Sequence, residues 1–371
     1  MTMAQPQMNG IQQNLALRQA LLASAPRMTK KVGTFTESTS PEGRTTRIKL
    51  FNVGILTKLR LKVTANVTIA TDALTASPKA PWNSISQLKV TDFEGVDRVN
   101  VSGFQLWTLQ SNRMRTPAFI NNEGMAAVSA LPFVPTAIST DDIEFYIEVP
   151  LAYDDERDLR GAILAQTATG EMFLNITWNN DFLQDGNEDG VYSADGTNGT
   201  CVVNSITVDV YQDYLLPQSI GGQIPIPQAD LLTVYEINGN YRITDNISNG
   251  QERLLNYPNM RSVIGFYANW FNAGALADSI STFRLIANGN NILREDSLHT
   301  QLMTQRNWIN GDLKKGVYWQ NHRARPIETA LYGNVQCGLT FNASASGTYY
   351  LEQMTEAFYT KGAVLPGMTN Q

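Results

Sequence analysis

The chain has 371 residues, enough for two domains with separate cores. Its apolar content, 43%, is ordinary for a globular protein, while its charged content, 17%, falls below the usual quarter or so. A net charge of −6 argues against a nucleic-acid-binding surface along the whole chain, and no apolar run is long enough to span a bilayer as a helix.

Residues 8–25 predict the one convincing amphipathic helix. Met8, Ile11, Leu15 and Leu22, flanked by Leu17 and Leu21, form a stripe near helical spacing; Arg18 interrupts it and Pro26 ends it. Arg27, Lys30 and Lys31 follow as a basic cluster. Such a helix either packs on its own domain or a neighbour, or rests on an anionic membrane through its leucines and the cations beside them. Because it precedes the first strand, it is expected to be removable without cutting a sheet or separating the domains. The start, MTMAQPQMNG, lacks the basic end and apolar core of a signal peptide, so synthesis and assembly in a cytoplasm are expected.

From residue 48 the period changes to two. Leu59, Leu61, Val63, Ala65, Val67 and Ile69 alternate with Lys58, Arg60, Lys62, Thr64, Asn66 and Thr68. The pattern recurs at Ile143–Val149, Met172–Trp178 and Ile206–Val210. Strands with one apolar and one polar face belong to antiparallel sheets, commonly sandwiches. The run 185–199 is the longest turn-rich loop, and 215–229 carries three prolines and two glycines that exclude a central strand.

Three segments return later in the same order. ISQLKVTDFEGVDR at 85–98 reappears as ISTFRLIANGNNIL at 280–293, ITWN at 176–179 as LTFN at 339–342, and ITVDVYQ at 206–212 as MTEAFYT at 354–360. The shrinking offsets are those of a duplicated β domain whose first copy carries longer loops. The duplication predicts a helical arm at 1–30, a first domain at 31–216, a linker at 217–229, a second domain at 230–361 and a tail at 362–371.

Chemistry is sparse. His299 and His322 stand alone, without metal-ligand spacing around either. Asp185, Asn187, Asp189 and Gly190 begin like a calcium loop, but Gly196 stands where the closing Glu belongs, and a solvated acidic loop is the better reading. Asp154, Asp155, Glu156 and Asp158 are mixed with Arg157 and Arg160 and predict a solvated turn entering a short helix. Cys201 and Cys337 are expected to be free thiols. Six tryptophans are spread along the chain, and Trp178 has the parity of a core residue. No catalytic, cofactor or metal site is expected.

Several stretches resemble the double jelly-roll major capsid proteins of tectiviruses, tailless icosahedral bacteriophages with an internal membrane. They are NVGILTKLRLKVTA at 52–65, VPLAYDDERDLRGAILA at 149–165, VYQDYL at 210–215 with DLLTVYEI at 230–237, and KKGVYWQNHRARPIETALYGNV at 314–335. The resemblance implies an all-β fold: two tandem eight-stranded antiparallel jelly rolls with a short N-terminal helix. It also implies a non-enzymatic virion protein whose homotrimers are pseudo-hexagonal and tile a shell around a membrane. Minor capsid and vertex proteins would be partners; nucleic acid would not. Interaction with membrane or a neighbouring capsomer is expected at Ile11, Leu15, Arg18, Leu22, Arg27, Lys30 and Lys31. A non-viral tandem β-sandwich, a lectin or adhesin, is the alternative.

Overall fold

Alternating patterns become strands where expected. In the computed structural model the side chains of Leu59, Leu61, Val63, Ala65 and Val67 are fully buried, while their polar neighbours lie half-buried on the other face. The structure describes residues 10–113, 134–184, 190–193, 198–219, 224–243, 250–272, 275–277, 279–289, 291–306, 316–342 and 349–360. Met8, Asp185, Asn187, Asp189, Gly196, part of the 217–229 linker and the 362–371 tail lie outside the described residues.

The first half contains eight strands of five residues or more: β1 (Arg27–Glu37), β2 (Thr45–Lys49), β3 (Ile55–Ala70), β4 (Ile85–Thr91), β5 (Asp97–Val101), β6 (Ser139–Pro150), β7 (Phe173–Trp178) and β8 (Thr200–Leu215). They form two sheets, ordered β1-β8-β3-β6 and β5-β4-β7-β2. The second half contributes β9 (Thr233–Ile243), β10 (Glu252–Asn256), β11 (Ser262–Asn272), β12 (Ile280–Ala287), β13 (Asn291–Ser297), β14 (Val317–Asn321), β15 (Val335–Phe341) and β16 (Tyr349–Thr360). Their sheets are ordered β9-β16-β11-β14 and β13-β12-β15-β10. Counted within each half, the order is the same: first-eighth-third-sixth facing fifth-fourth-seventh-second, antiparallel throughout. That is a jelly roll, made twice.

The repeated segments fall on corresponding strands, β4 with β12, β7 with β15 and β8 with β16. In the first two, core positions coincide: Leu88 with Phe283, Val90 with Leu285 and Trp178 with Phe341 are all buried. The third match is out of phase. Ile206 and Val208 enter their own barrel's core, whereas Met354 joins the cluster on the far side of its sheet. An offset of one residue exchanges the two faces of a strand.

The barrels are fused through a sheet. Val99 and Asn100 of β5 pair in parallel with Ile237 and Asn238 of β9, so one sheet runs from β2 across both barrels to β11. The face of β11 carrying Ile264, Tyr267 and Phe271 completes the first barrel's core; the face carrying Val263, Phe266, Ala268 and Trp270 lines the second.

Four helices are present among the described residues: α1 (Gly10–Ser24), α2 (Gly103–Arg113), α3 (Gln228–Leu232) and α4 (Leu298–Arg306). α1 falls where a helix is expected, but its apolar residues do not keep to one buried face: Ile11 and Leu15 are exposed and Leu21 is buried. α2 and α4 both follow the fifth strand of their barrels. Phe104, Leu106, Trp107 and Leu109 of α2 are buried, and so are its polar residues Gln105, Thr108, Gln110 and Asn112, which meet protein and not water. Two boundaries differ from expectation. β1 begins at Arg27, inside the segment 1–30 expected as arm, because residues 27–31 already pair with Tyr211–Leu215 of β8. The acidic run at 154–158 is a closed turn and enters no helix: the Asp154 carboxylate accepts from the backbone N–H groups of Glu156 and Arg157.

Candidate assembly surface and the join between barrels

The inward face of α1 is set by Asn14, Arg18, Leu21 and Ala25, spaced four, three and four residues apart. Leu21 is fully buried among Ile55, Ala152, Leu159, Ala162 and Leu215, and Leu22 packs against the same cluster from its margin. Arg18 closes the polar half. Its Nε and Nη2 donate to the two carboxylate oxygens of Asp230 at 2.5 and 2.7 Å, and Nη2 lies 3.4 Å from Asp158. Asn14 donates to Asp230 at 2.9 Å and accepts from the Ala229 backbone N–H at 3.1 Å.

Asp158 belongs to the turn after β6, and Asp230 to α3, which leads into the second barrel. Arg18 therefore ties elements of both barrels to the N-terminal helix. The hydrogen bond to Asp230 raises the Arg18 guanidinium above its ordinary value, with the charge of Asp158 adding to it and burial opposing. Burial pulls the Asp158 carboxyl upward, but hydrogen bonds and charge from Arg160, with Arg18 beyond, outweigh it and hold the group below the usual carboxylate value.

The seven expected interaction residues thus divide. Ile11, 82% exposed, and Leu15, 45% exposed, present apolar surface. Leu22 and Arg18 are spent inside the molecule, and Arg18, which breaks the leucine stripe in sequence, is the anchor of the helix. Arg27 is half-exposed with Glu156 at 3.9 Å. Lys30 Nζ sits 4.0 Å over the Phe51 ring, and Lys31 Nζ lies 2.7 Å from Asp209. The expectation of a detachable arm is corrected: its helix is buried at Leu21 and ion-paired to the start of the second barrel.

At the join, a second polar cluster is sealed from solvent. Glu356 of β16 is fully buried and accepts from the hydroxyls of Tyr235 and Tyr267 at 2.5 and 2.9 Å, with Arg323 Nη2 at 3.5 Å. Glu356 holds Arg323 charged, against the effect of burial. Nearby Arg98 donates to Asp92 at 2.7 Å, both buried. Sequence reading missed Glu356; its signal is an acid in phase with Met354 and Phe358, at the parity of two buried apolar residues.

No group of three or more His, Cys, Asp and Glu residues arranged to hold a metal occurs among the described residues. His322 is buried against Tyr257 at 3.0 Å, and burial, with Arg294 near, lowers it to about 4. Cys201 and Cys337 are free thiols; burial pushes Cys201 up to about 12 and Cys337 higher. Trp82, Trp107, Trp178, Trp270 and Trp319 are buried, so none is a stacking platform for sugar. Trp308 lies outside the described residues.

Two family models match in tandem: P3 major capsid protein N-terminal over residues 3–218, and P3 major capsid protein C-terminal over residues 232–368. The chain belongs to the P3 major capsid protein family. Major capsid protein P3 of Enterobacteria phage PRD1 is 28% identical over 347 residues, covering 87% of this chain and 85% of that one. Solved structures share the fold at much lower identity. The STIV MCP crystal structure aligns with a TM-score of 0.64 at 12% identity, over 91% of this chain and 97% of that one. The Faustovirus major capsid protein gives 0.58 at 9% identity over 91% and 90%. Major capsid protein P2 of bacteriophage PM2 gives 0.51 at 7% identity over 91% and 100%. This P3-family chain is a structural major capsid protein of a PRD1-like icosahedral virus, a double jelly roll and not an enzyme, and its place is the virion.

Proposed function

We propose that three copies of the chain form a capsomer of pseudo-hexagonal outline, and that such capsomers tile a shell around an internal membrane. The observation that carries this reading is the identical strand order of the two barrels. Three chains then present six similar barrels, and a three-fold object can occupy a six-fold lattice position. The division into two barrels, the first beginning with the strand at Arg27 and the second at 230, joined by 217–229, is supported by the gap between the two matched family segments. Similarity to a phage protein supports synthesis and assembly in a bacterial cytoplasm, with minor capsid and vertex proteins as further partners and no direct contact with nucleic acid.

The inner-face role falls to the free side of α1. Ile11 and Leu15 project from the helix while Arg18 and Leu21 hold it down, and Arg27 and Lys30 lie just beyond Pro26. Apolar side chains next to cations suit an anionic bilayer or a neighbouring capsomer. Light scattering should return three times the 41.1 kDa chain mass, and negative-stain images should show hexagonal outlines; a stable single-chain mass overturns the trimer. Purified trimers should float with anionic vesicles, and Ile11→Asp with Leu15→Asp should abolish flotation while leaving the trimer intact. Flotation unchanged by both substitutions removes the membrane role from this face.

A further inference from the structure

The pairing of β5 with β9 joins the fifth strand of one barrel to the first strand of the other. The second barrel has a fifth strand of its own, β13, which ends its sheet; β1, the first strand of the first barrel, also ends a sheet. Among the described residues neither has a strand on its outer edge. Both carry uncovered apolar side chains, Ile292 and Leu293 of β13 at 49% and 39% exposed and Met28 of β1 at 42%. Residues 27–31 of β1 are exposed on both faces of the strand.

We propose that β13 of one copy lies parallel beside β1 of a second copy, repeating between chains the join that β5 and β9 make within one. The inference rests on the trimeric reading: six barrels close into a ring only if each chain's second barrel meets the next chain's first. Register names the residues that meet. Lys89 faces Asn100 as Arg284 faces Glu295, and Val90 faces Val99 as Leu285 faces Arg294. Arg294 and Glu295 thus hold in β13 the places of Val99 and Asn100, the two residues through which β5 pairs with β9. Both first strands carry a bulge, between Lys31 and Gly33 in β1 and between Gly239 and Tyr241 in β9. Matching the bulges puts Thr29 and Lys30 of β1 where Ile237 and Asn238 of β9 stand. The neutral pairing of Asn100 with Asn238 is replaced by Glu295 beside Lys30, with Lys31 next along the strand.

The Glu295 side chain is half-exposed and free to meet an amine while it holds Arg284 at 2.8 Å. Opposite charges favour this contact and oppose the two self-pairings, since two β1 edges would bring lysines together and two β13 edges would bring glutamates together. The contact is therefore head-to-tail, the kind that closes into a ring. Carbodiimide, which couples a carboxylate directly to an amine, tests it. In trimers formed from mixed light- and heavy-nitrogen chains it should give peptides of mixed label joining Glu295 to Lys30 or Lys31, and Glu295→Gln should remove them. Ile292→Asp with Leu293→Asp should reduce the mass in light scattering from three chains to one while the β-sheet circular dichroism is kept; if that variant does not fold, the cross-link decides. A single-chain mass for the wild-type protein overturns the trimer and this join together. A wild-type trimer in which Glu295 couples only within its own chain, or to a segment other than β1, overturns the join alone, as does a trimer that survives both aspartates.

Discussion

The sheets β1-β8-β3-β6 and β9-β16-β11-β14 occupy the same place in their barrels, but they live in different surroundings. The first has water on its outer face, where Lys31, Arg60 and Lys62 pair with Asp209, Asp213 and Glu144. The second has the first barrel's core there instead, and fills that face with Ile264, Tyr267, Phe271, Met354 and the buried Glu356. Identical topology thus carries charges of opposite cost. On the first sheet an ion pair is screened and worth little. On the second a single buried carboxylate gathers two tyrosine hydroxyls and an arginine away from water.

The strongest break in this comparison is expected at Glu356. Glu356→Ala removes the carboxylate shared by Arg323 and the hydroxyls of Tyr235 and Tyr267, and should cost about 3–5 kcal/mol in equilibrium denaturation. A cost below about 1 kcal/mol would mean that the join tolerates water and that the two sheets differ less than their burial implies.

Acid should separate the barrels next. Both histidines, His299 and His322, belong to the second barrel. Burial holds His322 at about 4 against an unfolded value of 6.5. Between those values the unfolded chain binds a proton that the folded one refuses, so stability falls as pH drops from about 6.5 to about 4 and this contribution levels off below. The loss should be on the order of 3 kcal/mol. Hydrogen exchange across that range should loosen β10 and β14 before β3 and β8; a His322→Gln variant with the same pH slope would assign the loss to carboxylates instead.

The clasp lies between these extremes. Asp230→Ala removes both Asp230 bonds to Arg18 but leaves Asp158 within reach, so about 1–3 kcal/mol is expected. Limited proteolysis near Pro26 should then release α1 while β1 stays protected. At the bottom of the scale, Lys31→Ala on the wet sheet should leave the denaturant midpoint unchanged; a clear shift would show that the outer face of β1 is covered in the monomer.

Burial on two faces also explains what could be read in advance. The alternation from Leu59 to Ile69 stands out because each polar neighbour faces water, and Trp178 betrays its core position by parity. β11 and β14 show no alternation, since Val263 to Phe271 and Val317 to Gln320 are buried without a break. α2 escapes notice for the same reason. In α1 the leucines are visible, but the anchoring face turns on Asn14 and Arg18, whose partners lie over two hundred residues away. A polar contact that distant leaves no local period. Repeat matching located the right strands at β8 and β16, yet mistook their phase, because it compared letters where the two faces have exchanged roles.

One consequence of the β5–β9 pairing concerns solubility during synthesis. β5 and β9 are each the terminal strand of a four-stranded sheet, and a terminal strand offers a free row of N–H and C=O groups to any chain that passes. Joined to one another, they withdraw two such templates at once and leave fewer places for a second copy to pair indiscriminately. For a chain that must accumulate in many copies before it is built into a shell, that shielding guards against fibrous aggregates at the stage when neighbours are most crowded.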